Sequence, residues 1–204
     1  MYSFVPHDDN LIYKVPVFPL IDTESLLAEF LEIKDNSDIV TPAKVSAPGC
    51  VAYHFSHQQN HLGGIINQIK DYTIPDCLPA LKKIIHQFRV YANMQIGIPS
   101  IIYALLEPLS CYKWHVDENA RVVIKKNNMS MRKKPSFDDF WTNDQGNNVV
   151  YHIPITSNDG CWFLYEHKVF HMPADGSLYK VDNHIHHTFL NSGPTPRIHI
   201  LING

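Results

Sequence analysis

Much of what this chain could be is excluded by what its sequence lacks. No apolar run in its 204 residues approaches the roughly 18–20 residues that span a bilayer, so no membrane helix is expected. The first ten residues, MYSFVPHDDN, have no basic stretch followed by an apolar one and do not read as a secretory signal. The four cysteines, Cys50, Cys77, Cys111 and Cys161, are widely spaced and include no C-x-x-C pair. A structural zinc clasp is therefore not expected, and neither is a disulfide scaffold in a chain of this size. They read as reduced, core or near-core thiols of a cytoplasmic protein. Charge is scarce at 18%, and 17 Lys and Arg face 20 Asp and Glu, which leaves no basic footprint for nucleic acid. Internal repeats and low-complexity stretches are absent as well.

What is present is an apolar share of 45%, enough for one sizeable core in a single domain over 1–204, and 13 histidines. Histidine is the commonest metal ligand and titrates near neutrality. Most of the thirteen must nevertheless be ordinary, so spacing has to pick out the exceptions.

The first half, 1–98, mixes helices and strands. Residues 11–18 (IYKVPVFP follows Leu11) read as an edge strand, since Pro16 cannot donate to a ladder. Residues 23–34 read as a helix capped by Asp22 or Thr23, with Leu26, Leu27, Phe30 and Leu31 as its apolar face. CVAYHF at 50–55 reads as a strand, and IINQIKDY after Gly64 as a short helix. A longer helix is expected from Pro75 to Asn93, with Leu78, Leu81, Ile84, Ile85, Phe88 and Tyr91 at helical spacing. From residue 99 the texture changes to short β-branched and aromatic runs separated by turn residues. That pattern predicts a mainly β double-sheet core over 99–204, with the helices packed outside it. A polar segment at 125–148 interrupts it and reads as a surface insertion, a lid or, from its Lys/Arg cluster and aromatics, a nucleic-acid contact.

Residues 114–117 read Trp-His-Val-Asp. On a strand, His115 and Asp117 project to one side and can reach one point, while Trp114 projects to the other side, where core packing is its default. The later run HHTFLNSGPTPRIHILING places Arg197 ten residues after His187 across turn chemistry, which predicts adjacent antiparallel strands. Two histidines and a carboxylate on one face suit a non-haem Fe(II) site with open positions. A nearby arginine suits an anionic cosubstrate, because its planar fork matches a carboxylate.

With these segments in view, the half spanning residues 105–204 resembles the 2-oxoglutarate- and Fe(II)-dependent oxygenases, and within them the aspartyl/asparaginyl β-hydroxylase-like branch. WHVD, YHIPITSN, FHMPADGSLYKVDN and HHTFLNSGPTPRIHILING carry the resemblance. It implies a double-stranded β-helix (jelly-roll, cupin-like) core. It implies iron ligands at His115, Asp117 and His187, and Arg197 on the distal carboxylate of 2-oxoglutarate. His152 matches a histidine near the cosubstrate, and His199, two beyond Arg197 and expected on the same face, is read with it as a cofactor-binding residue that supports the site. Where the branch often carries arginine two residues before the histidine of HIPI, this chain has Val150, with Arg121 as a candidate substitute. The implied activity is dioxygenase hydroxylation of a small-molecule or peptide substrate, peptidyl or amino-acid-like, using Fe(II), O2 and 2-oxoglutarate, which is decarboxylated to succinate. Two rival readings stand beside it: a cupin-like metalloenzyme without 2-oxoglutarate, and an inactive β-barrel binding module.

The other histidines read as ordinary. His186 should face away from His187, and His184 should sit in the preceding turn. His167 falls in a hairpin turn, and His171 reads as either a substrate-side residue or a plain strand residue. His54, His57 and His61 form a polar cluster after a strand, and His7 and His86 suggest no role.

Overall fold

The computed structural model describes residues 11–44, 47–55, 74–92, 100–115, 149–183 and 185–203. Two antiparallel sheets face each other, and two helices cover the outer side of the larger one. Among the described residues eleven strands and two helices run in the order β1 (Ile12–Lys14), α1 (Thr23–Ile33), β2 (Val40–Lys44), β3 (Cys50–Phe55), α2 (Pro79–Tyr91), β4 (Ser100–Leu106), β5 (Ser110–Cys111), β6 (Val149–Thr156), β7 (Cys161–Tyr165), β8 (Lys168–Phe170), β9 (Tyr179–Asp182), β10 (His187–Asn191) and β11 (Arg197–Asn203). The larger sheet has the order β1-β9-β6-β11-β4-β3-β2, and the smaller one β5-β10-β7-β8.

From β4 onward the chain passes repeatedly between the two sheets, which is the winding of a double-stranded β-helix. This is the mainly β core with flanking helices that the strand texture predicts. The first half does more than pack on that core: β1 extends the larger sheet at one edge, while β3 and β2 extend it at the other. Pro154 sits inside the central strand β6. There the β6–β11 register slips between Ile198 and His199, so the missing N–H falls at an irregularity.

The outer face of the larger sheet is apolar. Ile101, Tyr103, Ile153, Ile155, Ile198, Ile200 and Ile202 pack against Leu26, Phe30 and Ile33 of α1 and Leu81, Ile84, Ile85 and Phe88 of α2. Phe30 stacks on Tyr103 at 4.9 Å between ring centroids. Asp22 caps α1 by accepting from the Ser25 N–H at 3.0 Å. Helix α2 begins at Pro79, not Pro75, because Pro79 takes the first-turn position and the free N–H groups just after it find a partner. That partner is Glu29 of α1, which is buried and accepts from the backbone N–H groups of Ala80 and Leu81. Drawing Glu29 inward also turns α1. Its buried face is Leu26, Glu29, Phe30 and Ile33, and the expected face residue Leu31 is 52% exposed. The expected helix at IINQIKDY and the segment 125–148 lie outside the described residues.

All four cysteines are free thiols. Cys50 and Cys161 are buried, and burial pushes the Cys50 thiol up to about 11. Cys77 and Cys111 are exposed, contrary to the core reading, since Cys77 lies in the turn leading into α2 and Cys111 on the edge strand β5.

Candidate active site

Between the sheets the inner surface carries polar groups in an apolar frame. Along β11 the side chains alternate: Ile198, Ile200 and Ile202 join the helix-side core, so Arg197 and His199 take the opposite face. On β6 the same alternation sends Ile153 and Ile155 outward and His152 inward. The smaller sheet contributes Phe163 and Tyr165 from β7 and His187, Phe189 and Asn191 from β10.

His115 and His187 are brought together by backbone pairing. Each donates its N–H to the other's carbonyl, at 3.0 and 2.9 Å, which extends the short β5 alongside β10. Residues directly opposite in such a pair share a face, and the two imidazole centroids lie 4.3 Å apart. Both rings use Nδ1 on a carbonyl two residues earlier: His115 Nδ1 on Lys113 O at 2.9 Å, and His187 Nδ1 on Ile185 O at 2.8 Å. A carbonyl only accepts, so Nδ1 holds the proton in the neutral rings and the lone pair lies on Nε2. This backbone contact is the kind that orients metal-binding histidines. Phe163 stacks on His187 at 5.1 Å, and Tyr112 meets His115 edge-on at 4.5 Å while stacking on Phe189 at 4.9 Å. Asp117 lies outside the described residues, and among those no group of three potential metal ligands occurs.

Arg197 is 3% exposed, and no acidic side chain among the described residues pairs with it. Its guanidinium lies over the Phe189 ring at 5.1 Å and, among the described residues, makes one hydrogen bond, from Nη2 to His199 Nδ1 at 3.0 Å. Burial pushes its pKa down to about 10, against a smaller upward pull from Cys161 and Cys50. His199 is fully buried; burial first, then the charges of Arg197, His152 and His171, hold it well below the usual histidine range. His152 approaches His199, Nδ1 to Nδ1 at 3.4 Å. The Nε2 of His199 is buried and has no hydrogen-bond partner among the described residues.

A guanidinium this deep with a single neutral partner fits a carboxylate ligand, since an unpaired buried cation is otherwise costly. The two pinned imidazoles fit a metal that takes nitrogen donors. The structure thus gathers five of the six expected residues, His115, His187, Arg197, His152 and His199, around one interior.

Several expectations need correction. His187 and Arg197 are not on paired strands: β10 belongs to the smaller sheet and β11 to the larger, so they face each other across the interior. Asn191 explains the switch. Its side-chain NH2 donates to Leu106 O, Glu107 O and Thr195 O, and its Oδ1 accepts from Asn158 Nδ2 and Gly193 N, which ties the 192–196 turn to β4 and to the approach to β7. Gly193 permits that approach, because a Cβ there would lie 1.8 Å from Asn158 Oδ1. Trp114 is 52% exposed and not core. His171 lies just past the end of β8, with Nδ1 on Cys161 O at 2.9 Å, and is not a strand residue.

His186 is exposed and faces away from His187, and His167 is exposed in its turn, as the alternation predicts. Burial lowers the pKa of half-buried His54; its cluster partners His57 and His61, like His7, His184 and Arg121, lie outside the described residues. Tyr112, Phe163 and Phe189 are site residues that sequence reasoning missed. Strand alternation from His187 to Phe189 was the available signal for Phe189.

No family model matches the chain, and no curated protein matches it. Solved structures do resemble it. One, described as an oxidoreductase of the 2OG-Fe(II) oxygenase family from Burkholderia pseudomallei, is 10% identical with a TM-score of 0.52, over 96% of this chain and 85% of that one. Another, a prolyl hydroxylase in complex with a hypoxia inducible factor oxygen degradation domain peptide fragment, from Trichoplax adhaerens, is 13% identical with a TM-score of 0.51, over 96% and 84%. At such identity the likeness establishes the fold, the double-stranded β-helix of these oxygenases. Neither description names the aspartyl/asparaginyl branch. Among the described residues no helix is long and apolar enough to cross a membrane.

Proposed function

We propose that this chain is a non-haem Fe(II)- and 2-oxoglutarate-dependent dioxygenase that hydroxylates a peptidyl or amino-acid-like substrate. The observation that carries the reading is Arg197, a buried guanidinium with no carboxylate partner among the described residues, on the same interior as two imidazoles whose Nδ1 atoms are held by backbone carbonyls. His115 and His187 would hold the metal through Nε2, with Asp117 as the third ligand. Arg197 would take the distal carboxylate of 2-oxoglutarate. When iron, 2-oxoglutarate and O2 are bound they supply the oxidation, in which 2-oxoglutarate becomes succinate and CO2 while one oxygen atom enters a substrate C–H bond and the other enters succinate.

The chain's own residues bind and orient. The Lys113 and Ile185 carbonyls keep the Nδ1 protons in place, so neither ring must change tautomer on ligation. Phe163, Phe189 and Tyr112 line the interior with apolar surface and limit water around the charged groups. A cupin-like enzyme without 2-oxoglutarate would leave Arg197 buried and unused, and an inactive module would leave the pinned histidine pair unused. The peptidyl substrate class rests on the branch resemblance and on the peptide complex of the Trichoplax adhaerens neighbour. The aspartyl/asparaginyl branch remains part of the proposal on the strength of WHVD, YHIPITSN and the segments after them.

The test is anaerobic addition of Fe(II) and 2-oxoglutarate, followed by O2 and a pool of peptides and free amino acids. A visible Fe(II)–2-oxoglutarate band, succinate release and one added oxygen on a peptide are expected. Iron binding with no effect of 2-oxoglutarate would move the reading to the cupin-like alternative. Neither binding would move it to the inactive module.

A further inference from the structure

The helices on the outer side of the larger sheet each bury one face and expose the other. On α1 the exposed side chains recur at helical spacing as Glu24, Ala28 and Leu31, with Glu32 beside them. On α2 they recur as Pro79, Lys83, His86 and Val90, with half-exposed Arg89 beside them. The two helices are opposite in charge. α1 has no basic residue, and its one buried acid, Glu29, is taken up by the N–H groups at the start of α2. α2 has no acidic residue. Apolar side chains are exposed here as well. Of the seven large apolar side chains exposed among the described residues, four lie in or beside this layer: Leu31, Val90, and Val17 and Leu20 in the loop before α1. Phe18 of that loop meets Tyr91 of α2 edge-on at 5.7 Å, which brings Val17 and Val90, each the neighbour of one ring, to the same end of α2. Grouped apolar side chains beside segregated charge mark a docking surface.

We propose that the exposed faces of α1 and α2, with the 16–20 loop, bind a second copy of this chain about a twofold axis. The charge pattern selects that partner. An acidic ridge beside a basic one is complementary to itself after a half-turn about an axis running between the helices, because the rotation sets α1 of each copy on α2 of the other. Leu31 and Val90 then supply apolar contact between the charged side chains. The helices are about 16 and about 20 Å long and their faces roughly 10 Å wide, so with the loop each copy buries on the order of 400–500 Å². That is about half of the ~800 Å² per partner of a standard interface, and the dimer is therefore weak, with a Kd on the order of 100 µM at low salt. The surface lies on the opposite side of the larger sheet from Arg197 and His199, so the proposal does not depend on the oxygenase reading.

The experiment is sedimentation equilibrium of the full chain and of two charge-reversed variants. Lys83→Glu with Arg89→Glu turns α2 acidic, and Glu24→Lys with Glu32→Lys turns α1 basic. The wild type is expected to show a monomer–dimer equilibrium that weakens at least about fivefold between roughly 0.05 and 0.5 M salt. Each variant alone should dimerise at least about tenfold more weakly, because like charges then meet in both contacts. An equimolar mixture of the two variants should recover an affinity within about threefold of wild type, because acid again meets base in both contacts. A wild type that stays monomeric up to about 500 µM would leave the face to a different protein and overturn the proposal. A dimer that neither variant weakens would lie on another surface and overturn it too, as would a mixture of folded variants that fails to recover. Should a charge-reversed variant not fold, Leu31→Ser with Val90→Ser decides, since both side chains are exposed. It should melt like wild type and dimerise about tenfold more weakly, and unchanged dimerisation would overturn the proposal.

Discussion

Ile198, Ile200 and Ile202 leave β11 on one side, and Arg197 and His199 leave it on the other; all five are buried. The outer three are surrounded by apolar side chains of α1, α2, β4 and β6, and their burial is itself the stabilisation. The inner two are buried against the grain, with one hydrogen bond between them and a ring nitrogen left over. One strand thus carries a face that holds the fold and a face that weakens it. Sites keep such unspent polar capacity when a ligand is meant to complete it.

The contrast breaks most sharply at Arg197. Arg197→Met keeps the length of the side chain and removes the charge. It is expected to weaken 2-oxoglutarate binding about a thousandfold, roughly 4 kcal/mol, because a buried charge-assisted pair is lost whole. The ligand-free protein should melt no lower than wild type, since an apolar chain replaces an unpaired cation. Calorimetric titration and thermal melts decide it: a lower melting temperature with retained binding would make Arg197 a structural residue.

Asn191 sharpens the comparison from within the interior. It is polar and fully buried like His199, but its amide is satisfied on both ends. Asn191→Ala leaves the carbonyls of Leu106, Glu107 and Thr195 short of a donor and should cost about 3–4 kcal/mol in urea unfolding. A loss below about 1 kcal/mol would mean that the turn holds without it. On the outer face, Ile200→Ala should cost about 3 kcal/mol through its cavity, with 2-oxoglutarate affinity within about twofold of wild type. A large change in affinity with little loss of stability would erase the division between the faces.

The residues that were legible in the sequence were those whose spacing is local. The alternation that puts His199 on the same face as Arg197 lies within one strand. The strand texture after residue 99 likewise gave the double-sheet core. Illegible features depend on partners distant in sequence. Glu29 is drawn inward by N–H groups some fifty residues away, and this turned α1 past Leu31. The 192–196 turn could have joined paired strands, and only the Asn191 hydrogen bonds to β4 show that it changes sheets. Trp114 is exposed against its core default, and nothing in its neighbouring residues signals that.

The smallest expected effect concerns pH. Burial, with the Arg197 charge behind it, depresses the pKa of folded His199 well below its ordinary 6.5, whereas the unfolded chain leaves it ordinary. Above 6.5 the ring is neutral in both states and its titration does not change stability. As pH falls below 6.5 the unfolded chain takes up a proton that the folded state refuses, so stability is lost progressively down to the folded-state pKa. The slope from this one residue is about 1.4 kcal/mol per pH unit. Half-buried His54 adds a loss of the same sign, so the comparison must be against His199→Asn, in which His54 is unchanged. Urea unfolding at pH 7, 6 and 5 should show wild type losing more stability than the variant at each step below 6.5. If the two curves run parallel, His199 is not held neutral beside the guanidinium, and the inner face of β11 is less strained than its hydrogen bonding indicates.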